Sequence, residues 1–191
     1  VNMIGVPPWD DVEDLQKEGF VLSLNKNVPN YLFIHLNYKH PILQDKRVRQ
    51  AINMAIDKEG LVREIYAGTG RVEHGMLSPG TFAYDPDFRF YDYDPEKAKA
   101  LLAEAGYPDG IEISWDIFQY GTGELVESWI QRDLKKVGID VSIQKFEWIA
   151  FLRRCASGMT EDVGMNHINW GMTYPAFIRI IASCGSFPPN G

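Results

Sequence analysis

Three stretches place side chains where a small molecule could be held. Phe118-Gln119-Tyr120-Gly121 follows an alternating apolar run, and Gly121-Thr122-Gly123 leads into a helical pattern. The first turn of a helix has unpaired N–H groups that can hold a carboxylate or phosphate. The same glycines also suit an ordinary turn. Trp170-Gly171-Met172-Thr173-Tyr174 closes a second apolar run. Trp170 and Tyr174 offer flat apolar faces with one polar edge each, which suits sugars or peptide side chains, although Trp170 also suits a plain core position. Asn37 follows a third run and can hydrogen-bond either a ligand or its own turn. The candidate ligand-binding residues are therefore Asn37, Gln119, Tyr120, Gly121, Trp170, Thr173 and Tyr174.

Other chemistries find little support. His35, His40, His74 and His167 are scattered, and no two lie at i, i+4 on a helical stretch. His35 and His167 fall in strand-like runs and read as hydrogen-bonded structural residues. Cys155 and Cys184 form no CxxC pair and no Cys/His cluster at zinc spacing. Two unconnected thiols, a mutual disulfide, or a Cys184 paired with a cysteine beyond residue 191 all remain open. There is no G-x-S-x-G, H-E-x-x-H or P-loop, so neither a catalytic residue nor a metal or cofactor is expected.

Elements must position these candidates, and the chain has the means to build them. Its 191 residues are 45% hydrophobic and 24% charged, an ordinary globular composition. With 19 Lys+Arg against 26 Asp+Glu, the net charge of −7 argues against nucleic acid as a partner. No apolar run of membrane-spanning length exists. Strands are expected at 20–24, 31–36, 111–118, 139–146 and 163–170. Helices are expected after Pro7-Pro8, from Asp45, from Asp57, over 94–106, 124–137 and 147–156, and from Pro175. Residues 69–92 read as a long irregular stretch. This alternation predicts one α/β domain with a mixed sheet flanked by helices.

The order of four segments then resembles one family. Asp45-Lys-Arg-Val-Arg-Gln-Ala-Ile-Asn-Met-Ala-Ile-Asp57 is similar to a signature of the family-5 extracytoplasmic solute-binding proteins of ABC transporters. So are Tyr93-Asp-Pro-Glu-Lys-Ala-Lys-Ala-Leu-Leu-Ala-Glu-Ala-Gly106 and Ile130-Gln-Arg-Asp-Leu-Lys-Lys-Val-Gly-Ile-Asp-Val141, followed by Asn169-Trp170-Gly171. The resemblance covers nearly the whole chain. It implies a periplasmic-binding-protein-like (type II) lobe: residues 1–191 as the second, C-terminal lobe of a two-lobed clamp, truncated at both ends.

The resemblance implies a function as well. The protein would be the substrate-binding component of an ABC import system, outside the cytoplasmic membrane in the periplasm or at the cell surface. A peptide-like or other small solute would sit between the lobes. Permease subunits would be its partners, and any membrane association would run through the transporter or a lipid anchor elsewhere. Peptide-binding relatives resemble Trp-x-x-Asp where this chain has Trp170-x-x-Thr173, and a hydroxyl cannot neutralise an α-ammonium. Oligosaccharides, longer peptides, opines and metal chelates therefore stay open as solutes, as does a binding domain repurposed as a sensor. The signature helices themselves read as scaffold. Arg47 and Arg49 are expected in surface salt bridges, and ligand chemistry is expected in loops.

Overall fold

The structure is a computed structural model that describes residues 11–23, 30–75, 77, 79, 84–118, 123–156 and 158–171; for 30, 31, 123 and 168–171 it describes the backbone alone. Helix α1 spans Val12–Lys17 and strand β1 spans Asn30–Leu36. A 3-10 turn at Pro41–Gln44 leads into α2 (Lys46–Ala55), α3 (Lys58–Ile65) and α4 (Pro95–Glu104). The remainder alternates: β2 (Ile111–Phe118), α5 (Gly123–Lys136), β3 (Ile139–Phe146), α6 (Trp148–Ala156) and β4 (Met165–Gly171). The expected helix from Pro175 lies outside the described residues.

The four strands form one mixed sheet in the order β1-β4-β2-β3. Strand β2 runs parallel to both β3 and β4, while β1 is antiparallel to β4. The expected strand at 20–24 is not seen over 20–23, where the chain is irregular. Apolar residues there do not suffice, because a strand needs a ladder partner and Val21 is 91% exposed instead.

One face of the sheet carries the core. Ile111, Ile113, Trp115 and Ile117 alternate inward from β2, joined by Ile139 and Val141 from β3. Val126, Ile130 and Leu134 of α5 meet them, each one helical turn from the next. Val48, Ala51, Ile52 and Ala55 of α2 and Ala98 and Leu102 of α4 complete this layer. The small Ala residues let α2 and α4 approach closely. The other face is covered in part by α6, whose Phe151 is buried.

The helix starts are set by their caps. The carboxylates of Asp45, Asp57 and Asp94 accept from the N–H of Arg47, Gly60 and Lys97 at 2.7, 2.8 and 2.9 Å. Gly138 ends α5 at φ +88° and Gly110 enters β2 at φ +96°. These two glycines pass so closely that a Cβ on Gly110 would collide with the Gly138 carbonyl, which already accepts from the Ile111 N–H at 2.9 Å. The crossover β2–α5–β3 is thus closed at its base by backbone.

Candidate functional site

Because β2, β3 and β4 are parallel, their carboxyl ends lie at one edge of the sheet. Phe118 and Phe146 stand opposite each other in register there. Helices α5 and α6 begin at Gly123 and Trp148, so their N-terminal ends face the same edge. In open α/β sheets ligands sit outside this edge.

Aromatic rings gather at it. The Phe118 ring lies 4.7 Å from that of Trp148, 5.0 Å from that of Phe151 and 5.2 Å from that of His167. Phe151 is buried whereas Trp148 is 45% exposed, so the cluster has a closed floor and an open indole rim. On the α6 side Arg154 donates to Asp116 Oδ2 at 2.8 Å and lies 4.7 Å over the Phe146 ring. That clamp ties α6 to β2 and β3 and sets where Trp148 stands.

Beneath the rings two titratable side chains meet. Glu127 on α5 and His167 on β4 are both buried, with Oε1 and Nδ1 3.3 Å apart. Trp115 stands edge-on to His167, with ring centroids 5.9 Å apart. Burial raises the Glu127 carboxyl to about 7; the Lys145 charge opposes this and the Glu124 charge adds to it. Burial also lowers His167 to about 4. The short contact meets the distance of an ion pair, but both shifts favour neutral groups. Between about pH 4 and pH 7 we read the pair as one buried carboxylic acid beside a neutral imidazole, because charging either inside this apolar shell is costly. Lys145 itself donates to Glu124 at 2.6 Å on the exposed side.

The residues expected from sequence fall in three places. Gln119, Tyr120, Gly121, Thr173 and Tyr174 lie outside the described residues, as does Cys184. Trp170 is on β4, opposite Tyr31 in the antiparallel register and near the carboxyl end. Asn37 lies at the other end of that strand pair. It is buried, and its Nδ2 donates to the carbonyls of Thr160 and Val163 at 2.9 and 2.7 Å. Its Oδ1 accepts from the Lys39 N–H at 3.1 Å. Asn37 therefore fastens the turn after β1 to the entry of β4, and its amide does not face the aromatic edge.

Other expectations resolve similarly. Arg47 pairs with Asp45 at 2.6 Å, but Arg49 makes no salt bridge among the described residues; it donates to the carbonyls of Leu43 and Gln44 at 2.7 and 2.9 Å. The reason is that Arg49 Nη1 is taken by two carbonyls of the preceding 3-10 turn, which leaves Asp45 to act on it only as a more distant charge. His35 is held below its usual range by burial, which its hydrogen bond to Asn166 opposes. Cys155 is a free thiol, pushed up chiefly by burial. No cluster able to hold a metal ion is found among the described residues.

Sequence reasoning missed Trp148, Phe151 and Glu127. Trp148 and Phe151 follow β3 at i, i+3, a spacing that puts both on one helix face. Glu127 sits beside Val126 and three residues before Ile130, on the inner stripe of α5, and an acid at such a position was the available signal.

The comparisons agree with this architecture. The family described as bacterial extracellular solute-binding proteins, family 5, middle part, matches residues 1–186. A dipeptide-binding protein of Escherichia coli is 31% identical over 97% of this chain and 36% of its own length. Heme-binding protein A of Haemophilus influenzae is 30% identical over 82% of this chain and 30% of its own. Among solved structures, a periplasmic binding protein associated with an ABC transporter from Helicobacter pylori, in complex with a peptide, superposes with a TM-score of 0.78 at 30% identity. That superposition covers 88% of this chain and 32% of the other. The oligopeptide-binding protein AppA of Bacillus subtilis, in complex with a nonapeptide, gives 0.73 at 28% identity, over 87% and 36%. The chain thus spans about a third of the length of these relatives. With a match over nearly its whole length and a periplasmic-binding-protein fold, the chain belongs to the family-5 extracellular solute-binding proteins.

Proposed function

We propose that this chain is one lobe, the second, of the substrate-binding component of an ABC importer, working outside the cytoplasmic membrane. The observation that carries this reading is the aromatic cluster of Phe118, Trp148 and Phe151 at the common carboxyl edge of three parallel strands. The lobe supplies one wall of a cleft and an opposing lobe supplies the other. The ligand is a peptide-like or other small solute, and hinge closure traps it for presentation to permease subunits.

The rim suits ligands with an apolar or flat part, which can stack on the indole of Trp148 while polar groups reach loop atoms. Peptides bound by the relatives support a peptide-like solute. Thr173 in place of an acid argues against capture of an α-ammonium at that position.

A thermal-shift screen of the full-length protein tests the reading, since a ligand that binds the native state stabilises it by RT ln(1 + [L]/Kd). The panel is di- and oligopeptides, oligosaccharides and metal chelates. A saturable rise in melting temperature, with quenching of tryptophan fluorescence and no chemical change in the ligand, is the expected result. Turnover of any panel member would overturn it.

A further inference from the structure

We propose that the outer face of α2 carries a second binding site, for a small molecule with two or more negative charges, separate from the aromatic edge. A cavity of about 390 Å³ opens there, and three cations, Lys46, Arg49 and Lys58, line it. None of Phe118, Trp148, Phe151 or His167 does.

The helix places two of them. Lys46, Arg49, Gln50 and Asn53 fall at i, i+3, i+4 and i+7, so they form one stripe. The buried stripe of Val48, Ala51, Ile52 and Ala55 faces the opposite way. Lys58, at the start of α3, completes the group. Its Nζ donates to the Asn53 carbonyl at 2.8 Å and to Asn53 Oδ1 at 2.9 Å, both neutral acceptors.

The charge balance is the unusual part. Neighbouring basic residues are in ion pairs: Arg47 with Asp45, Arg63 with Glu64 and Arg71 with Glu73. Lys46, Arg49 and Lys58 are in none among the described residues. The carboxylate that does line the cavity, Glu73, is engaged by Arg71. Burial lowers the Lys58 ammonium, and Asp92 is the charge that works against this. A chain of net charge −7 therefore gathers three cations without a direct ion pair around one concavity, with Asp45 and Asp92 acting on Arg49 and Lys58 only at longer range. Like charges around one cavity repel, and a counter-charge placed between them relieves this.

The remaining walls narrow the ligand class. The volume fits a small molecule rather than a protein domain. Phe90 and Tyr91 add aromatic surface, and Gln50 Nε2 fixes the Tyr91 hydroxyl by donating to it at 2.9 Å. A di- or tricarboxylate, or a small phosphate ester, matches three cations and one flat wall. His74 also lines the cavity.

The test is calorimetric titration of the full-length protein with citrate and with inorganic pyrophosphate, at low and at physiological ionic strength. One saturable site is expected for at least one probe. Its affinity should fall tenfold or more in the double variant Lys46→Gln/Lys58→Gln and be restored in Lys46→Arg/Lys58→Arg, which keeps the charge. Affinity for the cleft solute should stay within twofold in both variants, with circular dichroism reporting the fold. Equal binding in wild type and Gln variant would overturn the proposal. So would a lack of any saturable binding by either probe, as when an acidic segment elsewhere in the protein fills the cavity. Neither result touches the reading of the aromatic edge.

Discussion

Helix α5 buries two acids six residues apart, and they are treated in opposite ways. Asp133 is fully buried yet surrounded by donors. The Asp57 N–H donates to its Oδ2 at 3.0 Å, and Lys136 and Arg132 reach its Oδ1 at 2.8 and 3.1 Å. Trp129 adds its Nε1–H to the Asp57 carbonyl at 3.1 Å, with Arg132 3.9 Å over its ring. Glu127, near the start of the same helix, has a neutral histidine and aromatic rings instead. The first acid joins α5 to α3 and belongs to the family signature. The second lies under the proposed ligand edge, at a position no signature includes. One helix therefore has a scaffold end with satisfied charge and, under the proposed ligand edge, an end where burial raises the carboxyl to about 7.

The largest expected effect breaks the scaffold side. Asp133→Ala leaves the Asp57 N–H without its acceptor and frees two cations, though these are half-exposed and can turn to water. A loss of about 2–4 kcal/mol is expected in urea unfolding. A loss under about 1 kcal/mol would make the two acids equivalent and dissolve the contrast.

Glu127→Gln sharpens the other side through pH. The ordinary Glu value is 4.5 and the native value about 7, so between those pH values the native state keeps a proton that the unfolded chain has lost. Stability from Glu127 is present in full below pH 4.5 and falls as pH rises through 7. His167, lowered from 6.5 to about 4, works oppositely: stability is lost as pH falls through 4 and gained by 6.5. The two cancel over pH 4.5–6.5 in the wild type. Removing Glu127 leaves the rise from His167, so the variant should gain about 1–3 kcal/mol on the wild type between pH 4.5 and 7. Parallel pH profiles of the two proteins would show that the pair does not titrate as described.

The smallest effect on stability tests the rim. Trp148 is 45% exposed, so Trp148→Ala should cost about 1–2 kcal/mol in folding. It should still weaken the cleft solute about tenfold, as expected for an exposed aromatic anchor. A stability loss without an affinity loss would make Trp148 a packing residue of α6 alone.

Much of the scaffold is legible because its signals are local. Asp45, Asp57 and Asp94 announce helix starts by their type and position, and the caps form accordingly. The alternation at 111–118 and 139–146 yields β2 and β3 over the same residues. The expected strand at 20–24 fails over its described part because pairing is not local. Arg49 departs from its expected salt bridge because its acceptors are backbone carbonyls, which every residue possesses and no side-chain pattern marks. The pairing of Glu127 with His167 escapes a reading of the chain because the two stand forty residues apart and meet only when α5 packs on the sheet.

The sequence alone determined most of the helices and strands, their Asp caps and the family resemblance, since helical period, strand alternation and capping depend on near neighbours. Tertiary structure decided what sits at the carboxyl edge. The order β1-β4-β2-β3 brings His167 under α5 and α6 over β2, so an acid, an imidazole and three rings from four elements share one apolar shell. Burial there sets their protonation, and burial is a property of packing that no single stretch of chain contains.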